Sequence, residues 1–258
     1  HPVVDLTLFQ RRNFWAGAVA LSVAYGVFFG NVVLLPLWLQ QFMGYTATQA
    51  GMVMAPVGLL ALVLSPVVGK NIGRVDPRYF ATFAFLIFAL VLWMRSMFNT
   101  QADIATIMVP TIIQGVAMAF FFIPLVTITL SGLPPERIPA ASGLSNFVRI
   151  TAGAVGTSVA TTVWENRAAL HHAQLVESIT LGNPVASSAL SGLTASGIDP
   201  QQALAQVNRL VDQQAFMLAA NDVFYVSALL FLLLIPLIWL TQPPKASGAG
   251  ADAAAGAH

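Results

Sequence analysis

NFWAGAVALSVAYGVFFGNVVLLPLWLQQFMGYTATQAGMVMAPVGLLALVLSPVVG, residues 13–69, contains no Asp, Glu, Lys or Arg. A hydrocarbon core ~30 Å thick takes about 20 apolar residues per helical crossing. A charge at its centre costs roughly 2.5–3.5 kcal/mol or more. The stretch is long enough for two crossings, with Gly44-Tyr45-Thr46-Ala47-Thr48-Gln49 as the polar turn between them. A soluble domain does not keep so much sequence free of charge, so the chain reads as a polytopic helical membrane protein.

The rest of the chain agrees. Charged residues make up 8%, against about 25% in ordinary soluble domains, so lipid rather than water is the solvent to reason with. Cysteine is absent, which excludes disulfides, thiol nucleophiles and cysteine–metal sites. A net charge of +1 leaves no footprint for nucleic acid. The opening His1-Pro2-Val3-Val4-Asp5-Leu6 lacks the basic-then-apolar grammar of a signal peptide. Starting without Met just ahead of a membrane helix, the chain is expected to be the back part of a longer protein.

Six transmembrane helices are expected, at about 14–41, 48–70, 78–97, 104–131, 139–165 and 216–241. Helix is the only open-chain structure that satisfies its own backbone in lipid. Pro36, Pro56, Pro66, Pro110, Pro124 and Pro236 fall inside these spans and are read as kinks. Arg11, Arg12, Lys70, Arg74, Arg78, Arg137 and Lys245 lie on one side; Arg95, Arg167 and Arg209 lie on the other. That asymmetry places both termini in the cytoplasm. Residues 1–13 are then a cytoplasmic lead-in, 14–165 the first five spans, 166–215 an outer helical segment, 216–241 the sixth span and 242–258 a disordered cytoplasmic tail.

In the outer segment the fifth helix runs on to about Ser178. Asn183-Pro184 and Asp199-Pro200 each set a capping residue before Pro at the first helical position. Asp199 with Gln202 reads as a capping box. Leu204, Val207, Leu210 and Val211 form an apolar stripe on a helix 200–214 leading into the sixth span.

Two stretches carry a specific likeness. They are Ser131-Gly132-Leu133-Pro134-Pro135-Glu136-Arg137 and the run Ala140-Ala141-Ser142-Gly143-Leu144-Ser145-Asn146-Phe147-Val148-Arg149 with Gly153-Ala154-Val155-Gly156-Thr157-Ser158. Asp5-Leu6-Thr7-Leu8-Phe9, Gly44-Tyr45-Thr46-Ala47-Thr48, Ala55-Pro56-Val57-Gly58, Asn166-Arg167 and His171-His172-Ala173-Gln174-Leu175 support them. Together they resemble the fourteen-helix drug/proton antiporter family of the major facilitator superfamily (the EmrB/QacA type), and within it the EmrB-type exporters of Gram-negative bacteria. The likeness covers about 1–245 and only the C-terminal six-helix bundle.

The resemblance implies an all-α membrane protein, the C-terminal half of a major facilitator superfamily fold, in the bacterial inner membrane. The whole protein would exchange hydrophobic or cationic drugs for protons by alternating access. Its two six-helix halves would enclose a midplane site, so this half alone is not expected to transport. Its partners would be the missing N-terminal half, drugs, protons and lipid, with a periplasmic adaptor and an outer-membrane channel in Gram-negative members. No cofactor is implied.

The turn between the second and third spans of this fold often reads Gly-x-x-x-Asp-Arg-x-Gly-Arg-Arg. Here Gly69, Arg74 and Arg78 are kept, Gly73 stands at the Asp position and Asp76 at the later Gly position. This departure favours a basic loop that fixes topology over a gating ion pair between Arg74 and Asp76. Arg149, about ten residues into the fifth span, is the sharpest candidate for a cavity or gating residue. Its partner would be in the missing half or among helix carbonyls near Gln114, and its structural alternative is a hydrogen-bond anchor. Asp222 is the acid within a span; desolvation would raise its pKa and fit it to carry a proton, while the plainer reading is an interfacial Asp beside Asn221.

Ser22, Tyr25, Phe29, Pro36 and Gln40 share one stripe of the first span, and Pro110, Gln114, Met118 and Phe121 share one of the fourth. By the resemblance these helices line the cavity, making Tyr25, Phe29, Gln114, Met118 and Phe121 the substrate candidates, though aromatic stripes in membrane bundles are more often packing. The small residues of the fifth span, and Gly26 with Gly30 on the first, allow close helix approach. His171 and His172 have no ligand-spaced partners for a metal. Two other functions compete. A scaffold could dock an adaptor through 166–215. An intramembrane enzyme lacks a His-Glu-x-x-His motif, a Cys or paired membrane carboxylates.

Overall fold

The computed structural model describes residues 6–179 and 183–243. Among the described residues the regular structure is all helix, with no strand. The helices are α1 (Arg12–Phe42), α2 (Ala47–Asn71), α3 (Pro77–Arg95), α4 (Ile104–Ala119), α5 (Phe122–Leu130), α6 (Ile138–Ser178), α7 (Pro184–Ala195) and α8 (Pro200–Trp239). The expected disordered tail falls, beyond Pro243, outside the described residues, as do the first five residues of the lead-in.

The helix starts follow from short polar signals. Thr46 and Gln49 form a reciprocal capping box at α2. Asp76 caps α3 just ahead of Pro77, and Asp103 accepts from the backbone N–H of Thr106 at α4. Gly44 (φ 73°) and Gly132 (φ 74°) make left-handed turns after α1 and α5 that other residues would resist. Asn183 caps α7 with Pro184 at its first position. Asp199 caps α8 through the N–H of Gln201, so its partner is not a reciprocal Gln202.

Three helices differ from the sequence reading. The fourth span is one crossing made of two helices, α4 and α5, broken at Phe120–Phe121. Pro124 has no N–H to bond the carbonyl of Phe120 and its ring would clash there, so the ladder stops. The segment 200–214 and the sixth span form the single helix α8. On its first part Ala203, Val211 and Ala215 are buried, whereas Leu204 and Leu210 are exposed. The inward face is therefore the small-residue side, and the expected stripe is only half right. At ~1.5 Å per residue, α6 and α8 are each about twice the length a membrane requires and continue past it as a hairpin.

Among the described residues, five helical stretches are long and apolar enough to cross a membrane: α1, α2, α3, α4 with α5, and α8. The fifth expected span, within α6, is long enough but rich in Gly, Ala, Ser and Thr. Its place is set by packing on α1. A Cβ built on Gly26 would lie 2.8 Å from the Ala152 carbonyl oxygen, and one on Gly30 would lie 2.7 Å from Ala160 Cβ. The two backbones thus touch along two turns, and α6 shares the layer that α1 occupies. The architecture is an all-α membrane bundle.

The core is aromatic. Phe28, Phe85, Phe88, Phe121 and Phe231 interlock from α1, α3, the α4–α5 break and α8, with Phe88 stacked on Phe231 at 4.9 Å. Two polar pins cross it. Asn31 Nδ2 donates to Ser227 Oγ at 2.9 Å, joining α1 to α8. Arg95, fully buried, donates to Gln114 Oε1 at 2.6 Å and Thr111 Oγ1 at 3.3 Å, joining α3 to α4. No carboxylate among the described residues pairs with Arg95.

At the basic end, Arg78 of α3 pairs with Asp76 at 2.6 Å, donates to the Thr241 carbonyl at 3.0 Å and lies over the Trp239 ring at 4.9 Å. Asn13 donates to Ser131 Oγ and to the Gln242 carbonyl, and accepts from the Gln242 N–H. These contacts fasten α1, α3 and α5 to the last turn of α8. Burial pushes the Asp76 carboxyl up, but the Arg78 hydrogen bonds and charge outweigh it and hold its pKa below the ordinary value. A carboxylate depressed in the folded state stabilises fully above its unfolded pKa of about 3.9 and loses that contribution as pH falls through the lower folded value. Asp76→Asn keeps the cap and removes the charge. It should lower stability near neutral pH by about 1 kcal/mol, and the gap from wild type should close below about pH 3.9. Thermal melts of the detergent-purified protein across pH measure this.

Candidate functional site

A cavity of about 490 Å³ opens among α1, α2, α4, α5 and α6. Leu21 and Tyr25, Ala61 and Ser65, Met118, Phe122 and Val126, and Ser142, Ser145, Asn146 and Arg149 form most of its wall. These are the N-terminal parts of α1 and α6, the C-terminal parts of α2 and α4 and the start of α5, so the cavity sits toward the basic end. Its lining is mainly apolar, with a few hydroxyls and an amide, as small-molecule sites usually are.

Arg149 is the charged residue of this wall. Its guanidinium lies 5.0 Å from the Tyr25 ring centre and 5.2 Å from that of Phe122, within cation–π range of both. It donates to Asn146 Oδ1 one turn earlier on α6. Its buried Nε–H has no partner among the described residues, so the donor set is not used up. Tyr25 is held by Phe29, whose ring is 4.4 Å away, and by the bare Gly153 backbone, where an added Cβ would lie 2.9 Å from the Tyr25 ring.

The structure separates the sequence candidates. Tyr25, Met118 and Arg149 line the cavity, and Phe29 supports Tyr25 from behind. Gln114 and Phe121 do not line it. Gln114 is buried against Arg95, and Phe121 is enclosed by Phe28, Phe85 and Phe88. The break at Phe120 shifts the helical phase, so Phe122 rather than Phe121 continues toward Met118. Among the described residues the hydrogen-bond partner of Arg149 is Asn146, not a helix carbonyl near Gln114. Arg74 is exposed and makes no ion pair with Asp76, which bonds Arg78 instead. Asp222 lies far along α8, paired with Arg167 at 2.7 Å and His171 at 2.7 Å. It is a salt-bridged carboxylate, not an isolated desolvated one.

The sequence pattern does not single out Phe122, Asn146, Ser65 and Ser145 as cavity residues. Asn146 had a readable signal, standing three residues before Arg149 on a helix, where side chains meet. No such local cue marks Phe122 or Ser65.

The profile of the Major Facilitator Superfamily matches residues 2–157. The chain belongs to the major facilitator superfamily. It is 46% identical over 259 aligned residues to the multidrug export protein EmrB of Escherichia coli K12, covering all of this chain and 50% of the relative. The fatty acid resistance protein FarB of Neisseria gonorrhoeae is 43% identical over 250 residues, 97% of this chain and 49% of that protein. The colistin resistance protein EmrB of Acinetobacter baumannii is 26% identical over 234 residues, 89% of this chain and 46% of that protein. The chain thus spans about half the length of the curated relatives it matches, and corresponds to the C-terminal half of an EmrB-like exporter. It is a multi-pass membrane protein of a transporter family, not an enzyme.

Proposed function

We propose that this chain forms one wall of a multidrug efflux transporter, and that the cavity around Arg149 is its half of the substrate path. The observation that carries this reading is a mainly apolar cavity whose charged residue keeps a spare donor. On either side of it, Met52, Leu59, Leu62 and Val63 of α2 and Phe147 and Ile150 of α6 are exposed. A second six-helix half laid across these faces would close the cavity, in the two-walled plan of such transporters.

The charge pattern refines the substrate class. The aromatic faces of Tyr25 and Phe122, which could hold a cation, already hold the Arg149 guanidinium. This wall therefore suits lipophilic molecules with an anionic or acceptor group better than cationic drugs. The name of FarB, fatty acid resistance, accords with such a substrate. Transport is by alternating access, driven by protons entering in exchange. No acid lines this cavity among the described residues and Asp222 is engaged in a salt bridge, so the coupling carboxylate belongs to the other half. The basic end faces the cytoplasm of an inner membrane, and drug enters the cavity from there.

The α6–α8 hairpin with α7 then projects outward. Helix α7 has no buried residue, and its Val185 is 76% exposed. That favours a docking role for this region toward a periplasmic adaptor and, through it, an outer-membrane channel.

The test is reconstitution of the intact transporter into proteoliposomes with an imposed pH gradient. A fluorescent lipophilic carboxylate should be moved against its own gradient, and collapsing the pH difference should stop it. Absence of gradient-driven movement by the intact, folded protein would overturn the reading.

A further inference from the structure

We propose that the α6–α8 hairpin is a strap whose arm tightens in external acid, through a histidine–aspartate contact that becomes an ion pair on protonation. "External" rests on the orientation proposed above; the tightening rests on geometry alone.

The hairpin has a root and an arm. At the root, neutral hydrogen bonds tie α8 to the bundle. Gln213 donates to the Phe42 carbonyl at the end of α1, Asn221 to the Phe98 carbonyl and Gln214 to Thr100 Oγ1 after α3. Trp164 of α6 donates to the Phe216 carbonyl. None of these groups titrates between pH 5 and 8. Beyond the root, the arm consists of α6 past Trp164 and α8 before Gln213. There the polar cross-link recorded between the two helices is His172 Nδ1 to Asp212 Oδ1, at 2.8 Å. Asp212 also accepts from Asn208 Nδ2 at 3.2 Å.

An imidazole ordinarily changes charge between pH 5 and 8. A neutral imidazole with its proton on Nδ1 gives the Asp212 carboxylate a hydrogen bond alone; a protonated one gives the same hydrogen bond and an opposite charge. The second contact, His171 Nε2 to Asp222 Oδ2 at 2.7 Å, is different. The same oxygen already receives Arg167 Nε at 2.8 Å and Nη2 at 2.7 Å. A protonated His171 would meet Arg167 as a like charge on a carboxylate that is already paired. Its carboxylate partner Asp222 also sits at the root, on α8 beyond Gln213, where neutral bonds hold that helix regardless. The other charged groups of the arm are Glu165 and Glu177 on α6 and Arg209 on α8; α7 contributes none, nor does the end of α1 from Asn31 to Phe42. The acid response is thus assigned to His172, with little from His171.

The experiment uses the intact transporter carrying Gln174→Cys and Gln206→Cys, two exposed positions on facing arms; this chain brings no cysteine of its own. Spin labels there report the arm separation by pulsed electron spectroscopy in detergent, where neither orientation nor transport enters. The parted fraction should fall about threefold or more between pH 8 and pH 5.5, the size expected of one partly exposed ion pair. His172→Gln and Asp212→Asn should each abolish the change, and His171→Gln should keep most of it. A pH-independent wild type, or a response that survives His172→Gln, would overturn the proposal. Labelling Gln174→Cys in whole cells with a membrane-impermeant maleimide tests the orientation separately. Failure there would remove the word external and leave the latch standing.

Discussion

Gly156→Leu is expected to leave little folded transporter in the membrane. A Cβ at Gly156 would fall on the carbonyl oxygen and Cα of Gly26, both backbone atoms of α1 that cannot rotate aside. The contact is mutual, because a Cβ at Gly30 would lie 3.0 Å from the Gly156 carbonyl oxygen. Even Gly156→Ala forces the two helices apart, an overpacking that costs about 1–3 kcal/mol. Leucine adds three more heavy atoms to a gap that holds none. In lipid the loss is not recovered elsewhere, since helix association depends on van der Waals fit rather than on escape from water. Thermal melting and size-exclusion profiles in detergent are the measurement. Gly192→Ala, in open space on α7, is the control and should be neutral or slightly stabilising. A Gly156→Leu protein with the wild-type profile would mean that α1 and α6 do not cross here.

The same crossing shows what could be read from the chain beforehand and what could not. Charge-free runs locate spans because the bilayer penalises every charge, and the cap residues Thr46, Asp76, Asp103, Asn183 and Asp199 locate helix starts because their partners are two or three residues away. Both are local signals. The small residues of α6 indicated close packing, but not that Gly26 would be the partner. A stripe with a 3.6-residue period, run from Pro110 to Phe121, carries Phe121 into the cavity, but the helix breaks at Phe120–Phe121 and the period is reset there. By sequence Arg95 falls with the outer-side charges because it lies at the end of a span. Its burial depends on Gln114 and Thr111, which reach it only once α3 and α4 are packed. Arg149 stood out as a charge in lipid, yet its neighbours Tyr25 and Phe122 come from helices far away in sequence. In each case the missing information was which face of one helix meets which face of another.

Arg149→Gln is expected to remove efflux of lipophilic acids while leaving the protein folded and in the membrane. The guanidinium contributes little to holding the bundle together. Its one hydrogen-bond partner, Asn146, is its own helical neighbour, and the ring faces of Tyr25 and Phe122 are packed from behind by Phe29 and Phe121 without it. What it does contribute is positive charge beside a spare, buried donor in a water-poor cavity. Removing one partner of such a buried, hydrogen-bonded charge pair costs about 2–5 kcal/mol, a loss of at least ~30-fold in transport of an anionic substrate. Arg149→Lys keeps the charge but not the planar fork that lies over two rings, and should recover a minority of the rate. A neutral lipophilic substrate, which does not need the charge, should lose much less. Uptake into energised proteoliposomes, comparing an anionic dye with a neutral one of similar size, separates the outcomes. Equal losses for both dyes would make Arg149 a packing or gating element and withdraw it as the group that selects substrate charge. Unchanged transport of the anionic dye would remove it from the substrate path altogether.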